Sequence, residues 1–434
     1  MAAFSVEVLR SELERWPFPA RLWLAFSGGL DSHVLLHACS RLREPLSLRL
    51  HAIHVDHGLH PASGDWSNHC RAVCAGLDVP FTGRRVQVSR RPGESLEAVA
   101  REVRYRVLAE VLTPGDTLMT AQHLDDQAET LLLALLRGSG VHGLAAMPQS
   151  APLGSGTLLR PLLGIERDAL LAYAREHHLC WLDDPANETL AFDRNRLRSR
   201  VLPLLRERWP AAARTIARSA GHCADAAQTL DEWADAQLPA VAGGRPSALS
   251  VAGLAALQPR QARLLLRRWL TARGFLAPST VLLRRILDEV LGARADATPL
   301  VAWPGCEVRR YRDDLFALVP LPPPPAVALD WVEGHKLELP SGLGWLEAPQ
   351  APLPPLQVRF GEPGRLCAAE ARPRRPLTKL FQEAGIPSWL RPLVPLLVDP
   401  AGALRLVPGV CGCGLSKTAV RWRGHPWEGF GWFD

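Results

Sequence analysis

The chain lacks any apolar run of the roughly 18–20 residues that a membrane-spanning helix needs, and it carries no N-terminal signal sequence, so it reads as soluble and cytoplasmic with no membrane partner. Its nine cysteines do not have the spacing of a disulfide framework. An odd number in a large chain points to reduced, cytosolic thiols. His69-Cys70 with Cys74, and Cys411-Gly412-Cys413, hint at metal, yet neither has a matching second half. Paired CxxC motifs are missing too, and so is any glutaminase-like region. Lysine is nearly absent, and arginine supplies almost all the basic charge. What remains is an ordinary globular composition, 47% hydrophobic and 22% charged, over 434 residues, which suggests three domains. The formal net charge of +6 leans towards anionic partners such as nucleic acid without deciding anything.

The most informative stretch is Ser27-Gly28-Gly29-Leu30-Asp31-Ser32. It lies between the apolar run Leu22 to Phe26, a buried strand, and Val34-Leu35-Leu36, the start of a helical pattern. A strand, a glycine turn and a helix N-terminus together make an anion site, because unpaired N–H groups and the helix dipole both favour negative charge. Gly28 and Gly29 let the backbone come close to an oxyanion. Asp31 is the odd member: a carboxylate facing phosphates makes sense mainly with Mg²⁺ between them. A Walker A loop is excluded, since no lysine follows the glycines.

The following residues alternate strands and helices. Leu48 to Val55 reads as a strand ending in Asp56-His57-Gly58-Leu59. Glu94 to Leu112 reads as a helix with Leu96, Val99, Ala100, Val103, Val107 and Val111 inward and Arg101, Arg104 and Tyr105 on another side. Asp116 to Thr120 is a strand running into Gln122-His123-Leu124-Asp125-Asp126, and the next helix carries Asp126 and Glu129 side by side on its polar face, with Leu124, Ala128, Leu131 and Leu135 inward. A histidine and three acids at a strand end beside an anion loop suit a Mg²⁺ or amine site. The expected fold is therefore α/β, a doubly wound, mainly parallel, Rossmann-like sheet with its site at the strands' C-terminal ends.

The loop resembles the PP-loop (SGGxDS) of the ATP pyrophosphatases, which split ATP to AMP and pyrophosphate. The ordered series SGGLDS, HVDHGL, EAVAREVRYRVL, HLDDQAETLLLALLRGSGVHGLAAM, RPLL, DDPAN and RNRLR is similar to that of the tRNA(Ile)-lysidine synthetases over residues 20 to 205. His60 stands where that family usually has arginine, and Gln122 replaces the first histidine of a pair.

The resemblance implies ligation of free L-lysine to carbon 2 of the wobble cytidine in the isoleucine tRNA with anticodon CAU. ATP and Mg²⁺ take part, and the intermediate is an adenylated cytidine. It implies ATP binding by Ser27, Gly28, Gly29, Leu30, Asp31 and Ser32 with Arg101 and Arg104, and Mg²⁺ on Asp31 and Asp126. Catalysis falls to Asp31, His123, Asp126, Glu129 and Arg196. Two rivals remain open: another PP-loop tRNA-modifying enzyme such as a cytidine thiolase, and a tRNA-binding protein without activity. A homodimer is left open as well.

Four segments are expected: the ATP-binding domain 1–205, a helical domain 206–319, a proline-rich linker and lead-in 320–355, and a small α/β or mainly β domain 356–434. In the helical part the basic residues include Arg267 and Arg268. In the last segment Leu377 to Gln382, Gly385-Ile386-Pro387, Trp389 and Arg391 look similar to the family's C-terminal, acceptor-arm-binding domain. Arg198, Arg267, Arg268, Lys379 and Arg391 are the expected tRNA contacts.

Overall fold

A computed structural model describes residues 3–17, 19–58, 63–89, 96–182, 192–294, 297–331, 335–349, 353–361, 366–367 and 375–433. The expectations for Leu59 and His60, and for Asp183 to Asn187, lie outside the described residues. The chain divides into two compact units, 1–229 and 230–434.

The first unit is built on a six-stranded sheet of order β3-β2-β1-β4-β6-β5. Its strands are β1 Leu22–Ala25, β2 Leu50–Asp56, β3 Phe81–Arg85, β4 Thr117–Met119, β5 Ser150–Leu153 and β6 Gly156–Leu159. All pairings are parallel except β5 with β6. Side chains alternate between faces. Leu22 and Leu24 join one core with Leu35, Leu36 and Met119, while Trp23 joins the other with Ile53, Leu108 and Leu118. A strand buried on both faces explains why Leu22 to Phe26 is continuously apolar. The chain leaves β1 for β2 on one side and β4 lies on the other, so the crevice at the C-terminal end of β1 is the topological switch point.

Helices α1 Val6–Leu13, α2 Leu30–Leu42, α3 Ser63–Gly76, α4 Leu96–Glu110, α5 Leu124–Leu136, α6 Val141–Leu144 and α7 Arg167–Glu176 accompany the sheet. Then come α8 Asp193–Arg196, a π-helical turn Leu197–Val201, α9 Leu202–Arg208 and α10 Ala212–Gln237. Two helices sit differently from expectation. On α4 the fully buried residue is Leu108, followed by Leu112 just beyond the helix end, and Tyr105 packs on the same core. The anticipated stripe from Leu96 to Val111 is only half-buried. On α5 Leu135 is exposed, whereas Asp125 and Glu129 are buried, so the acidic face points inward.

The second unit contains more strand than its helical pattern suggested. An antiparallel sheet of order β7-β10-β9-β8 (β7 Leu249–Ser250, β8 Leu300–Trp303, β9 Cys306–Tyr311, β10 Asp314–Leu318) packs with α11 Val251–Ala255, α12 Pro259–Ala272 and α13 Thr280–Arg285. Val301, Val308, Leu315 and Ala317 face that core. Arginines at Arg309 and Arg310 of β9 hide the alternation in the sequence.

The remaining strands form further antiparallel sheets, of order β11-β14-β17-β18-β19, β12-β13-β20 and β15-β16. They are β11 Leu329–Trp331, β12 Lys336–Glu338, β13 Trp345–Glu347, β14 Leu356–Arg359, β15 Leu366–Cys367, β16 Arg375–Pro376, β17 Leu396–Val398, β18 Leu404–Val407, β19 Cys411–Gly412 and β20 Arg421–Arg423, with one helix, α14 Leu377–Glu383. The stretch 320–355 thus holds three strands, and Trp331, Leu343 and Leu346 sit in the same core as Leu397 and Trp422.

Candidate active site

The loop after β1 is shaped by its own short contacts. Gly28 has φ +84°, and a Cβ there would meet Cys70 Sγ at 3.0 Å. Glycine is needed for both reasons. The Ser27 and Ser32 hydroxyl oxygens lie 3.0 Å apart, and Ser32 Oγ donates to the Gly29 carbonyl. Below the loop, buried His54 of β2 donates from Nδ1 to the Phe26 carbonyl at 2.9 Å, with Cys70 Sγ 3.5 Å away. Burial lowers the His54 pKa, which keeps the ring neutral. Gly29 caps α2 in extended conformation, so Asp31 falls in the first turn, where its charge suits the dipole.

Opposite Asp31 stands His123, 1% exposed and the N-cap of α5. Its Nε2 is 3.5 Å from Asp31 Oδ2 and 3.5 Å from Asp126 Oδ2, and Nδ1 is 3.8 Å from Asp125 Oδ2. Burial disfavours the cation, but Asp126, Asp31 and Asp125 together outweigh it and raise the His123 pKa.

Asp126 and Glu129 each hold arginine. Arg198 donates from Nε to Glu129 Oε1 at 2.7 Å and from Nη2 to Asp126 Oδ1 at 2.7 Å, and Arg194 Nε donates to Glu129 Oε2 at 3.0 Å. Asp126 resists burial through His123 and Arg198, and its pKa is lowered. The Glu129 side chain has almost no solvent exposure, and burial raises its pKa despite Arg198. Asp125 plays another part: it accepts from the Arg167 backbone N–H at the start of α7 and pairs with Arg206.

The expected residues therefore separate. Asp31, His123, Asp126, Glu129 and Arg198 converge. Arg198, an expected tRNA contact, donates to both acids. Arg196 is exposed on α8. Asp125, one of the three acids at the strand end, is in the cluster, and Arg194 and Arg206 join it without having been assigned there. Residues 194 and 198 are four apart, which puts them on one helical face and Arg196 off it, and this spacing was readable.

Arg101 and Arg104 stack on Tyr105, their guanidinium carbons 4.9 and 5.7 Å from the ring centre. Burial of His57 and the nearby Arg104 charge lower the His57 pKa, which places Arg104 near the C-terminal end of β2. There His57, Gly58, Arg85 and Val86 line an open hollow. A separate hollow of about 240 Å³, lined by Trp16, Leu22, Asp116 and Thr117, lies at the strands' other end. Its one acid, Asp116, is already held by Thr113, so no chemistry converges there.

Among the expected tRNA contacts, Arg268 makes a two-pronged pair with Asp235 at 2.7 and 2.6 Å. Arg391 Nε donates to the Ile386 carbonyl at 3.1 Å. Arg267 is half-buried and Lys379 is exposed on α14.

The donor set also bears on a cation. Asp31 Oδ1 is buried with no hydrogen-bond partner among the described residues, which fits a ligand oxygen for Mg²⁺. Asp126 fits less well, because Oδ1 is taken by Arg198 and Oδ2 accepts from the His123 backbone N–H at 3.0 Å.

An SGGLDS loop at the switch point of a parallel sheet, facing a buried histidine and paired carboxylates, defines a PP-loop, ATP-using enzyme. Three family models agree in order: a PP-loop domain over residues 8–205, a TilS substrate-binding domain over 249–316 and a TilS C-terminal domain over 356–423. Curated relatives cover nearly the full length. The tRNA(Ile)-lysidine synthase of Methylococcus capsulatus is 46% identical, with 86% of this chain and 88% of that protein covered. That of Coxiella burnetii is 42% identical, with 92% and 91% covered. Among solved structures, a U34-tRNA thiolase from Methanococcus maripaludis is similar at 20% identity and TM-score 0.41, covering 50% of this chain and 77% of that one. The chain belongs to the tRNA(Ile)-lysidine synthase family.

Proposed function

We propose that this chain ligates lysine to carbon 2 of the wobble cytidine in the CAU-anticodon isoleucine tRNA, changing its codon from AUG to AUA, and that the Asp31–His123–Glu129 crevice is where both steps occur. The supporting observation is the juxtaposition of an anion loop with a buried histidine–carboxylate–arginine cluster at 3.5 Å. The chemistry requires two displacements. The cytidine carbonyl oxygen attacks the α-phosphorus of ATP, the bond to the β-phosphate's bridging oxygen breaks, and pyrophosphate leaves. The lysine ε-amine then forms a bond to carbon 2, the carbon–oxygen bond breaks, and AMP leaves.

Each residue has a role in this reading. The backbone N–H groups around Gly28 to Ser32 hold the phosphates. Asp31 holds Mg²⁺, which supplies charge neutralisation at the phosphates. His123, whose pKa its acids raise, fixes Asp31 and in its protonated form adds positive charge beside the departing oxygens. Glu129 and Asp126 attract the lysine ammonium, and Glu129, with its raised pKa, takes the proton the amine must lose. Arg104 and Arg101 extend the phosphate field from α4. Arg194 and Arg198 keep the two acids in place between turnovers. An unpaired anticodon base is accessible to such a crevice. Lys379 on α14 contacts the tRNA backbone, and the enzyme works in the cytoplasm, where tRNA and ATP are.

The test is incorporation of labelled lysine with ATP and the isoleucine transcript. One AMP should form for each lysine bound. ADP formation, or incorporation into unrelated tRNA, contradicts the reading.

A further inference from the structure

Cys367, Cys411 and Cys413 are drawn to one point of the C-terminal sheet, their sulfurs all within 4.8 Å of one another. Cys367 is on β15, and the other two flank Gly412 at the edge strand β19. Residues two apart on a strand share a face. Gly412 is obligatory between them, since a Cβ there would lie 2.0 Å from the Leu415 carbonyl oxygen. Cys367 and Cys413 are joined as a disulfide, which leaves Cys411 Sγ 3.9 Å from Cys413 Sγ. A disulfide uses two sulfurs and gives no reason for the third. Tetrahedral thiolate coordination does: zinc–sulfur bonds of about 2.3 Å set the sulfurs about 3.8 Å apart.

We propose that the reduced C-terminal domain binds zinc through Cys367, Cys411 and Cys413, with a fourth position open to water. The inference rests on the proposed function only for the cytoplasmic location, where thiols keep such a bond open. Three soft thiolates select a d¹⁰ ion over Mg²⁺. The metal clips β15, and with it β16 and the start of α14, to the β18–β19 edge. Oxidation by a small-molecule disulfide returns the staple to its other form. The Cys367 and Cys413 thiolates become one disulfide, the reagent's two halves leave as thiolates, and zinc is released.

The experiment uses full-length protein reduced with a phosphine, loaded with zinc and freed of excess metal. About one zinc per chain is expected, with Cys411 protected from alkylation. Cys411→Ser should bind zinc about tenfold or more weakly yet form the Cys367–Cys413 disulfide as the parent does. That second readout shows the variant is folded. The proposal is overturned if the reduced parent holds no zinc, if Cys411→Ser holds as much, or if zinc leaves Cys411 alkylation unchanged. Lysine incorporation by the parent, measured in parallel, separates failure here from failure of the ligation reading.

Discussion

Asp31 Oδ2 and His123 Nε2 lie 3.5 Å apart, one from the first turn after β1 and the other from the first turn after β4. The two strands are neighbours in the sheet, so the crevice between them sets this distance. The nucleotide loop and the acid cluster are thereby parts of one site.

The glycine turn is the first place to perturb it. Gly28→Ala puts a Cβ against Cys70 Sγ and forces a left-handed backbone on alanine, at a cost of about 1–2 kcal/mol. ATP affinity measured by calorimetry should fall about tenfold, the equivalent of about 1.4 kcal/mol, while tRNA affinity holds. Unchanged ATP binding would show that the loop does not hold the phosphates.

Glu129→Gln removes the charge that Arg194 and Arg198 share. Glu129 is fully buried while the two arginines are partly exposed and Arg198 keeps Asp126, so the loss is that of charge-assisted hydrogen bonds, about 1.5–3 kcal/mol. A clear drop in melting temperature is expected, together with a loss of lysine transfer of about a hundredfold or more. Pyrophosphate release on tRNA should survive better than lysine transfer. Equal losses in both steps would remove Glu129 from amine handling.

The His123 pKa is raised above its ordinary 6.5 by the acids around it. Its contribution to stability is fully present below the unfolded-state pKa and declines as pH rises through the folded value. Melting temperature should therefore fall as pH rises above the ordinary histidine value of 6.5, and His123→Gln should flatten that decline. Asp126, with its lowered pKa, acts in the opposite sense: its contribution is lost as pH falls through the folded value. A parent profile as flat above pH 6.5 as the variant's would contradict the raised His123 pKa.

Arg268 and Lys379 should behave differently although both are basic. Arg268 is held by Asp235, a partly exposed pair worth about 0–1 kcal/mol, so Arg268→Ala should change stability slightly and tRNA binding little. Lys379→Ala should weaken tRNA binding and reduce the salt slope by about one. The reverse pattern would assign the RNA face to α12.

The loop and the sheet were legible because their signals are local. Leu22 to Phe26 is a buried strand in any context, and glycines before a helix mark an anion site. The acid cluster was legible only in part. The three-residue spacing of Asp126 and Glu129 was plain, but their burial depends on arginines from residues 194–206, which no local pattern links to α5. The Arg198 pairing with Asp126 and Glu129 was not legible, because a basic helix gives no sign of which acids it will meet. The β9 strand was hidden by the consecutive Arg309 and Arg310, which interrupt the apolar alternation, and Cys367 lies far in sequence from the cysteines it joins.

The most direct test of the account follows the α-phosphate of ATP with lysine withheld. With the isoleucine transcript present, label from the α-phosphate should become attached to RNA while pyrophosphate is released, and Asp31→Ala should abolish both. Label confined to free nucleotide, or transfer of the γ-phosphate with ADP as product, would contradict adenylation in this crevice.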